Sequence, residues 1–262
     1  MSEQGNAATT APYLDEVIAI AVEAGNRILE HRKNFHMREK GDHGADTSPV
    51  TDADLASNQY ITAQLPLLDR HLPIISEETK SAGYETRKHW RRFWVVDPLD
   101  GTKEFVKGID EFTVNIALVD ELEPVLGVIY LPAKNLLYYA EKGRGSWKRD
   151  GDKPAVQIFS SIPDLSKGLT VVESASHPSE ELENYLKDLP VRQRISAGSS
   201  LKFCLVAEGR ADIYPRMGPT MEWDVAAGDC IYRNSGRTGQ RRTSLTYNKP
   251  SLKNGSFVIG FM

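Results

Sequence analysis

Two acidic residues follow an apolar run in the stretch "FWVVDPLDGTKEF", which spans residues 93–105. Asp97 and Asp100 bracket a proline-leucine pair at the point where a buried strand is expected to end. Carboxylates held this close repel each other, so that one pKa must rise or a cation must bind between them. The spacing therefore predicts a cation site, with the backbone carbonyl of Leu99 as a further oxygen ligand.

Other acidic residues lie where helices or strands are expected to begin or end, namely Asp54, the pair Glu77 and Glu78, and Asp224. Taken alone, Asp54 and Asp224 fit helix starts, and the glutamates fit a solvated strand end. Taken together, oxygen ligands without a neighbouring histidine or cysteine favour a hard cation such as Mg²⁺. Several carboxylates can hold more than one ion, which suits hydrolysis of a phosphate ester.

A phosphate group also needs hydrogen-bond donors, and two glycine-containing segments offer them. Gly101 and Thr102 open a helix after the aspartate pair, and "AGSS" at 197–200 precedes another helix. Glycine permits close approach of an anion to backbone N–H groups. The acids and these segments together predict a phosphatase in which a phosphate binds between cations and backbone amides.

Composition limits the class of protein. The 262 residues include 40% hydrophobic and 26% charged residues, and the formal net charge is −4, which is ordinary for a globular enzyme. A nucleic-acid binder would need a basic surface, and the basic stretch at 236–242 lacks interleaved aromatic residues, so we expect a solvated loop there and no nucleic-acid partner.

The cysteines and the N-terminal residues bear on the compartment. Cys204 and Cys230 are the only cysteines and lie in apolar stretches, which predicts buried free thiols. The first 14 residues do not resemble a secretory signal, and no apolar run is long enough for a membrane span. We therefore expect a cytoplasmic protein, monomeric or homodimeric, with peripheral association at the inner membrane face left open.

Hydrophobic periodicity predicts an α+β arrangement in the first part of the chain. Helices are expected over residues 12–33 and 53–68, with a loop at 40–54 between them. The later apolar segments predict strands, several of them forming an antiparallel meander. These strands are expected at 72–78, 92–97, 112–120, 123–132 and 135–147.

Strand and helix patterns alternate in the second part of the chain, which indicates an α/β arrangement. Strands are expected at 169–174, 191–196 and 211–216, and helices at 179–189, 199–209 and 223–236. The change of pattern predicts a boundary near residue 150. Residues 1–150 would form an α+β half with most metal ligands, and residues 151–262 an α/β half with substrate specificity and Asp224.

Four stretches together resemble the signatures of one family. "DPLDGT" (97–102) and "EWDVAAGD" (222–229) are similar to the two motifs of the inositol monophosphatase superfamily of Mg²⁺-dependent, lithium-sensitive phosphatases. "SPVTDAD" (48–54) and "IISEE" (74–78) resemble its upstream elements. The resemblance implies a layered α-β-α-β-α sandwich of the sugar-phosphatase type, which combines α+β and α/β character, and two or three Mg²⁺ ions per site.

The resemblance also implies roles for individual residues. The implied metal ligands are Glu77, Asp97, the Leu99 carbonyl, Asp100 and Asp224. Asp54 and Thr102 match positions that, with Glu77, orient or activate the attacking water. The residues expected to contact the substrate are Gly101, Thr102, His177, Gly198, Ser199, Ser200, Lys202, Arg216 and Asp224.

The cations of the second half favour one branch of the family. "SASH", "SSLKF" and "YPRMGPTMEWD" resemble the bacterial 3'(2'),5'-bisphosphate nucleotidases. Inositol phosphatases typically carry an acid near the position of Arg216, and an arginine there replaces a hydroxyl-binding group with an anion-binding one. The resemblance thus implies hydrolysis of adenosine 3',5'-bisphosphate to AMP and phosphate in sulfur metabolism, with Lys202 and Arg216 holding the 5'-phosphate. The sulfated analogue is a further candidate substrate.

Two other interpretations stay open. The same chemistry could act on inositol monophosphate or another sugar phosphate, such as fructose bisphosphate, although Lys202 and Arg216 count against the inositol ester. A protein of this fold could also sense nucleotides or metals without catalysis. Such a sensor would be expected to lack a metal ligand or the threonine that orients water, and none of these residues is missing.

Overall fold

The computed structural model describes residues 13–33, 36–39, 49–174, 179–239 and 241–260. The α-helices of these residues are α1 (Leu14–His31), α2 (Asp52–Leu68), α3 (Tyr84–Arg87), α4 (Thr102–Val106), α5 (Glu180–Leu186), α6 (Leu201–Ala207) and α7 (Glu222–Arg233). The early strands are β1 (Met37–Glu39), β2 (Pro49–Thr51), β3 (Ile74–Ser76), β4 (Arg92–Asp100), β5 (Thr113–Asp120), β6 (Glu123–Leu131), β7 (Leu136–Glu141) and β8 (Gly145–Asp150). The later strands are β9 (Val156–Ile158), β10 (Leu169–Ser174), β11 (Val191–Ala197), β12 (Ile213–Arg216), β13 (Thr220–Met221), β14 (Lys253–Asn254) and β15 (Phe257–Gly260).

A seven-stranded sheet forms the centre of the first half, in the order β3-β4-β5-β6-β7-β8-β9. β3 pairs with β4 in parallel, and every later neighbour pairs antiparallel. This confirms the predicted meander. The segment at 135–147 forms two strands, β7 and part of β8, because Gly143 and Gly145 adopt the positive φ angles of a tight turn.

One face of this sheet packs against α1 and α2. The two helices contribute Val17, Ile28 and Ile61 to an apolar cluster with Trp94 and Ile116 of the strands. Because side chains alternate along a strand, the neighbouring residues of β4 and β5 face the other way and pack against other helices. Both faces are therefore buried, as the nearly continuous apolar sequence of β4 indicates.

The opposite face packs against α6 and α7, and a second sheet covers these helices in turn. α7 lies close to β6 at Gly127, where an added Cβ would lie only 2.6 Å from the carbonyl oxygen of Ala227. The second sheet has the order β11-β10-β12-β15. On its far side, Leu182 and Leu186 of α5 pack against Leu169. The layers thus follow the order α-β-α-β-α, which confirms the fold class expected from the sequence.

Most element predictions are confirmed with small shifts at their ends. The helix expected at 199–209 begins at Leu201, because Ser199 adopts a left-handed backbone conformation with φ of 42° that a helix cannot continue. The loop expected at 40–54 is wrong from residue 49 onward, where β2 and the start of α2 lie, and residues 40–48 lie outside the described residues. The C-terminal strands β14 and β15 were not predicted. The boundary near residue 150 stays a prediction, and β9 joins the first sheet beyond it.

The structure also bears on the expectations for the cysteines, the basic stretch at 236–242 and membrane-spanning helices. Cys204 and Cys230 are free and buried, as predicted. Arg237 stacks on Phe159, with 4.5 Å between the guanidinium carbon and the ring centroid, and Arg241 donates to Ser160. The basic stretch is thus partly engaged in contacts within the chain. Among the described residues, no helix is both long enough and apolar enough to cross a membrane.

Candidate metal centre and active site

A bulge at the end of β4 brings the two aspartates of the opening motif to the same face of the sheet. Asp97 lies opposite Asn115 of β5, and Asp100 lies opposite Thr113, so that two residues of β4 face one residue of β5 between these pairs. Asn115 and Thr113 are two positions apart on one strand and share a face. Their partners Asp97 and Asp100 therefore share that face too, which an unbroken strand would not allow at a spacing of three.

The chain turns sharply after the bulge, at Gly101. Its φ angle is 90°, and an added Cβ would lie 3.2 Å from the carbonyl oxygen of Glu111, so both conformation and space favour glycine. α4 begins at the next residue, and the hydroxyl of Thr102 lies 3.3 Å from the carbonyl oxygen of Leu99, which accepts its hydrogen bond. This turn places the Leu99 carbonyl beside Thr102 at the end of β4.

Three carboxylates meet at this end of the sheet. Single oxygen atoms of Glu77, Asp97 and Asp224 all lie within 4.8 Å of one another. Asp97 is buried, whereas Glu77 and Asp224 are only partly buried, so the cluster is open to solvent on the side of Glu77 and Asp224. Glu77 directly follows β3, and its backbone N–H donates to the carbonyl of Val96 at 3.2 Å, which fixes it beside β4.

The electrostatics of this cluster favour a bound cation. Burial raises the pKa of Asp97 well above its usual value, and the charges of Glu77, Asp100 and Asp224 raise it further. Burial also raises the pKa of Asp224 well above its usual value, with added repulsion from Asp100 and Glu77. A divalent cation would relieve both the repulsion and the loss of hydration, and a set of only carboxylate and carbonyl oxygens fits Mg²⁺. The residues present therefore fit the metal that the sequence predicts.

Asp224 lies in the first turn of α7, three residues after Met221. One of its oxygens, Oδ2, accepts a hydrogen bond of 2.8 Å from the backbone N–H of Met221. The contact satisfies an N–H group at the helix start and fixes the carboxylate. The helix-start role that Asp224 could have had on its own thus coexists with membership of the carboxylate cluster.

Asp54 has the same position in the first turn of α2. Its Oδ2 accepts from the backbone N–H of Thr51 at 2.8 Å and from the Thr51 hydroxyl at 2.6 Å, while its Oδ1 accepts from the Thr102 hydroxyl at 3.1 Å. Burial raises the pKa of Asp54, although these hydrogen bonds oppose the shift. Asp54 and Thr102 are thus in contact across 48 residues of sequence, as their shared predicted role requires.

Asp100 accepts hydrogen bonds from neutral side chains and lies within the field of a lysine. Its Oδ2 accepts from the hydroxyl of Ser200 at 2.7 Å and lies 3.4 Å from the amide nitrogen of Asn115. Burial raises the pKa of Asp100, whereas the charge of Lys202 and the Ser200 hydrogen bond lower it. Asp100 is the carboxylate of the motif that has cationic and hydroxyl support within the protein.

Two residues of the segment at 197–200, which the sequence assigns to phosphate binding, form hydrogen bonds within the protein instead. The backbone N–H of Gly198, which the sequence assigns to phosphate, donates to a carboxylate oxygen of Glu111 at 2.9 Å. The hydroxyl of Ser200 is directed at Asp100 and at the carbonyl of Asp224, at 2.7 and 2.8 Å. Ser199, in contrast, has a buried hydroxyl oxygen without a hydrogen-bond partner among the described residues. Of these residues, Ser199 offers an uncommitted hydroxyl to a ligand.

Lys202 and Arg216 lie near each other beside this segment. The Lys202 ammonium folds back over the helix start and donates to the carbonyl oxygens of Ser199 and Ala197, as its predicted reach requires. Burial lowers the pKa of Lys202 to about 8, an effect that Arg216 adds to and Asp100 opposes. Arg216 donates to the carbonyl oxygens of Gly218 and Pro219 at 3.2 and 3.1 Å. A positive region therefore adjoins the carboxylate cluster.

Comparison with known proteins bears on which family has this geometry. The sequence model of the Inositol monophosphatase family matches residues 11–256. The chain belongs to the inositol monophosphatase family. The signatures that carried the resemblance are the segments that build the site described above, from Thr51 through Asp224. Phosphatases of this family generally depend on Mg²⁺, in accord with the carboxylate cluster.

Within the family, the chain is similar to bacterial proteins named CysQ. The chain is 46% identical over 227 residues to the 3'(2'),5'-bisphosphate nucleotidase CysQ of Escherichia coli O6:H1, which covers 85% of this chain and 88% of that protein. It is 40% identical over 250 residues to CysQ of Buchnera aphidicola, which covers 94% and 90%. A crystal structure of CysQ from Bacteroides thetaiotaomicron, a bacterial family member, superimposes with a TM-score of 0.75 at 40% identity over 92% of this chain and 94% of that one.

The structure also contains site residues that the sequence analysis did not single out. Thr51, Asn115 and Glu111 contact Asp54, Ser200 and Gly198, respectively. Thr51 lies within a quoted motif and three residues before an aspartate, which is a recognisable helix-start pattern. No local pattern identifies Asn115 or Glu111. His177, which was predicted to contact the substrate, lies outside the described residues.

Proposed function

We propose that this chain is a Mg²⁺-dependent 3'(2'),5'-bisphosphate nucleotidase that hydrolyses the 3'-phosphate of adenosine 3',5'-bisphosphate to AMP and phosphate. The observation that carries this proposal is the pairing of Lys202 and Arg216 beside a carboxylate cluster that fits a metal. Mg²⁺ alone would serve any phosphate monoester, whereas the positively charged side chains of Lys202 and Arg216 suit a substrate with a second phosphate. The 46% identity to a nucleotidase supports the same substrate class.

The residues proposed to hold two or three Mg²⁺ ions are Glu77, Asp97, the Leu99 carbonyl, Asp100 and Asp224. When bound, these ions would neutralise the carboxylates, lower the pKa of water at the site and stabilise the charge of the leaving oxygen. The three carboxylates within 4.8 Å of one another support this assignment. Asp100, which interacts with the charges of Asp97 and Asp224, extends the set.

Asp54 and Thr102 are proposed to orient the attacking water. The Thr102 hydroxyl shares its one hydrogen between Asp54 at 3.1 Å and the Leu99 carbonyl at 3.3 Å, and its oxygen lone pairs stay available to accept a hydrogen bond from water. The charge of Glu77 helps to raise the pKa of Asp54, so the two carboxylates are close enough to influence each other's proton. This arrangement can hold a water on one side of the phosphate and accept its proton.

The substrate phosphates are proposed to occupy different parts of the site. The 3'-phosphate would contact Gly101, Thr102 and the Ser199 hydroxyl near the carboxylate cluster, with Asp224 beside the leaving oxygen. The 5'-phosphate would contact Arg216 and the positive region of Lys202. Because Ser200 and the Gly198 amide already bind Asp100 and Glu111, their proposed role is to support the site.

The sugar-phosphate alternative predicts a different order of substrates. An inositol monophosphate has hydroxyl groups where the bisphosphate has its second anion, so Arg216 and Lys202 would have no second phosphate to bind in that complex. Fructose 1,6-bisphosphate also carries two phosphates, so we expect it to be a poorer substrate than adenosine 3',5'-bisphosphate but a better one than inositol monophosphate. A non-catalytic sensor would release no phosphate from any of them.

Phosphate release from a panel of esters tests the proposal. The panel contains adenosine 3',5'-bisphosphate, its sulfated analogue, inositol 1-phosphate and fructose 1,6-bisphosphate, each measured with Mg²⁺ and with a chelator. We expect the highest kcat/KM for adenosine 3',5'-bisphosphate and no release with the chelator. Preference for the inositol ester would contradict the role given to Arg216. Metal-independent turnover would contradict the assignment of the carboxylate cluster.

A further inference from the structure

A fully buried glutamate fixes the first turn of α7 to a distant segment of the chain. Glu222 has no solvent exposure and lies two residues before Asp224. Its carboxylate accepts from the backbone N–H groups of Asn248 and Lys249 at 2.7 and 2.9 Å, and from the Lys249 ammonium at 2.7 Å. Three donors satisfy this buried charge, so the segment at 248–249 is firmly attached to the turn that carries Asp224.

The side chain of Asn248 extends this attachment to a buried arginine. The Arg87 guanidinium donates to Asn248 Oδ1 at 2.8 Å, and the Asn248 amide nitrogen donates back to the carbonyl of Arg87 at 2.6 Å. Arg87 is 3% exposed, and it also donates to the carbonyls of Ala82 and Pro250 at 2.9 and 3.1 Å. Asn248 is therefore the reciprocal partner of an arginine whose other hydrogen bonds are to backbone carbonyls.

Arg87 belongs to the segment that follows another residue of the carboxylate cluster. This segment leaves β3 at Glu77 and reaches α3, whose last residue is Arg87. The Arg87–Ala82 contact folds the segment onto itself, and the Arg87–Asn248 contact attaches it to the chain that holds Glu222. The contact between Arg87 and Asn248, which are 161 residues apart in sequence, thus connects the segment of Glu77 to the helix turn of Asp224.

The backbone of Asn248 is unusual in a way that supports a role for its side chain. Its φ angle is 60°, in the left-handed region, where glycine is the residue with the least strain. Asparagine tolerates this conformation better than most residues, but glycine would meet the backbone requirement alone. The asparagine side chain adds the two hydrogen bonds to Arg87, which glycine cannot provide.

We propose that Asn248 is a positioning residue that sets the distance between Glu77 and Asp224, and that it thereby tunes the affinity of the site for Mg²⁺. This inference rests on the proposed metal site and adds to it a residue outside the family signatures. Supporting residues that orient metal ligands typically change metal affinity when they are replaced. Neither Asn248 nor Arg87 contributes an oxygen to the carboxylate cluster, so their effect must pass through Glu222 and the α3 segment.

The test compares Asn248→Gly with Asn248→Asp. Glycine keeps the left-handed backbone and the N–H group for Glu222, but it removes both side-chain contacts with Arg87. Aspartate keeps an acceptor for the guanidinium, but it loses the donor to the Arg87 carbonyl and adds a negative charge beside the guanidinium. We expect Asn248→Gly to raise the Kd for Mg²⁺, measured by calorimetry without substrate, by about 10-fold. The expected increase for Asn248→Asp is smaller.

Activity measurements separate positioning from general destabilisation. The Mg²⁺ concentration for half-maximal phosphate release should rise with the Kd, while kcat at saturating Mg²⁺ stays within about twofold, because affinity and not the reacting geometry is altered. Leu182→Ala is the matched control, since it removes buried apolar contacts in α5, far along the chain from the carboxylate cluster. Its Kd for Mg²⁺ should equal that of the unchanged protein.

The outcomes distinguish this inference from the proposed function. If the unchanged protein binds Mg²⁺ and Asn248→Gly binds it equally well, the positioning role of Asn248 is wrong and the metal site stands. If the unchanged protein does not bind Mg²⁺, the metal site itself is wrong. If Asn248→Gly does not fold, an unaltered Mg²⁺ affinity in Asn248→Asp would overturn the inference, and a raised Kd there would support it.

Discussion

The hydroxyl of Ser200 lies 2.7 Å from Asp100 Oδ2, although 100 residues separate the two in sequence. The same oxygen lies 2.8 Å from the backbone carbonyl of Asp224 and accepts from the amide of Asn115 at 2.9 Å. A hydroxyl has one hydrogen to donate, so the Asp100 and Asp224 acceptors compete for it. One serine therefore joins the end of β4 to the first turn of α7.

Replacing Ser200 with alanine should weaken this connection without removing a metal ligand. Asp100 loses a hydrogen bond that lowers its pKa and holds its carboxylate in place, so the carboxylate ionises less readily and is less well oriented for a cation. A hydrogen bond to a charged group contributes about 1.5–3 kcal/mol, which predicts a roughly 10- to 100-fold fall in kcat/KM at limiting Mg²⁺. Steady-state kinetics over a range of Mg²⁺ concentrations measures the effect.

A matched serine controls for the loss of a hydroxyl. Ser166 donates to Asp164 in a surface turn, and Ser166→Ala should leave the kinetics unchanged. Equal kinetics for Ser200→Ala and Ser166→Ala would show that the Asp100 contact has no functional weight.

Asp97→Asn should separate activity from folding. Asp97 is the most deeply buried residue of the carboxylate cluster. Its replacement removes a charge that any bound cation needs, so we expect kcat to fall by about 10³-fold or more. The Asn side chain keeps an oxygen to accept the hydrogen bond from the Leu99 N–H, which spans 3.1 Å. Removal of a repelled charge should also raise the melting temperature in a chelator.

Two measurements check this pair of effects, namely phosphate release with excess Mg²⁺ and thermal unfolding with a chelator. Full activity in Asp97→Asn would refute the metal assignment. A lower melting temperature in the chelator would show that Asp97 is not electrostatically strained in the metal-free protein.

The raised carboxyl pKa values predict how stability depends on pH when no metal is bound. Folding raises the pKa of Asp97 and of Asp224, so the folded state binds more protons than the unfolded state between the unfolded and folded pKa values. Stability therefore falls as pH rises through that window, which begins near the unfolded value of about 4. Mg²⁺ binds the ionised carboxylates and should counteract the loss.

We accordingly expect the stabilisation by Mg²⁺, measured as the difference between melting temperatures with and without the metal, to increase from pH 5 to pH 8. Asp97→Asn should show a smaller increase, because one of the titrating groups is absent. A stabilisation that is independent of pH in the unchanged protein would contradict the proposed link between proton release and metal binding.

The local part of the site could be predicted from sequence, because short motifs determine it. Asp97 and Asp100 lie three residues apart, and the bulge and Gly101 that orient them belong to the same stretch. Asp54 and Asp224 could be placed at helix starts from their neighbours. Hydrophobic periodicity predicted most of the helices and strands, whereas the layered order of the fold was implied by the resemblance to the family signatures.

The supporting contacts could not be predicted, because they join residues far apart in sequence. Nothing near Ser200 indicates that its hydroxyl binds Asp100, and nothing near Glu111 indicates that it occupies the Gly198 amide. The strand β15 lacks a motif and is recognisable only by its pairing with β12. Such contacts depend on packing in three dimensions, which the order of residues along the chain does not display.

Replacing Arg216 should weaken the binding of a nucleotide only when that nucleotide carries a 5'-phosphate. We expect Arg216→Ala to raise KM for adenosine 3',5'-bisphosphate by about 10- to 100-fold, the range for losing a hydrogen bond between charged groups. Adenosine 3'-monophosphate lacks the second anion, so its KM should change little. Steady-state kinetics with both nucleotides forms a cycle in which the interaction between side chain and phosphate is isolated.

Arg216→Lys serves as the conservative variant for this cycle. It keeps the charge but loses the planar guanidinium, so it should recover only part of the affinity for the bisphosphate. An equal rise in KM for both nucleotides would place the effect of Arg216 elsewhere, for example on the loop whose Gly218 and Pro219 carbonyls it binds.

Thr102 and Asp54 should act as a unit in the chemical step. Thr102→Val removes the hydroxyl that donates to Asp54 at 3.1 Å while keeping the β-branched shape at the first position of α4. We expect kcat to fall by about 10²- to 10⁴-fold, the range for losing assisted proton transfer, with a small change in KM. Thr102→Ser keeps the hydroxyl and should retain most of the activity.

A double variant tests the coupling of these two residues. If Thr102 and Asp54 orient the same water, Asp54→Asn combined with Thr102→Val should be scarcely slower than the more impaired single variant, because groups that act together give non-additive losses. Fully multiplicative losses would indicate independent roles. Mg²⁺ affinity, measured by calorimetry, should be nearly unchanged in Thr102→Val, because its hydroxyl is assigned to water and the carboxylate cluster stays intact.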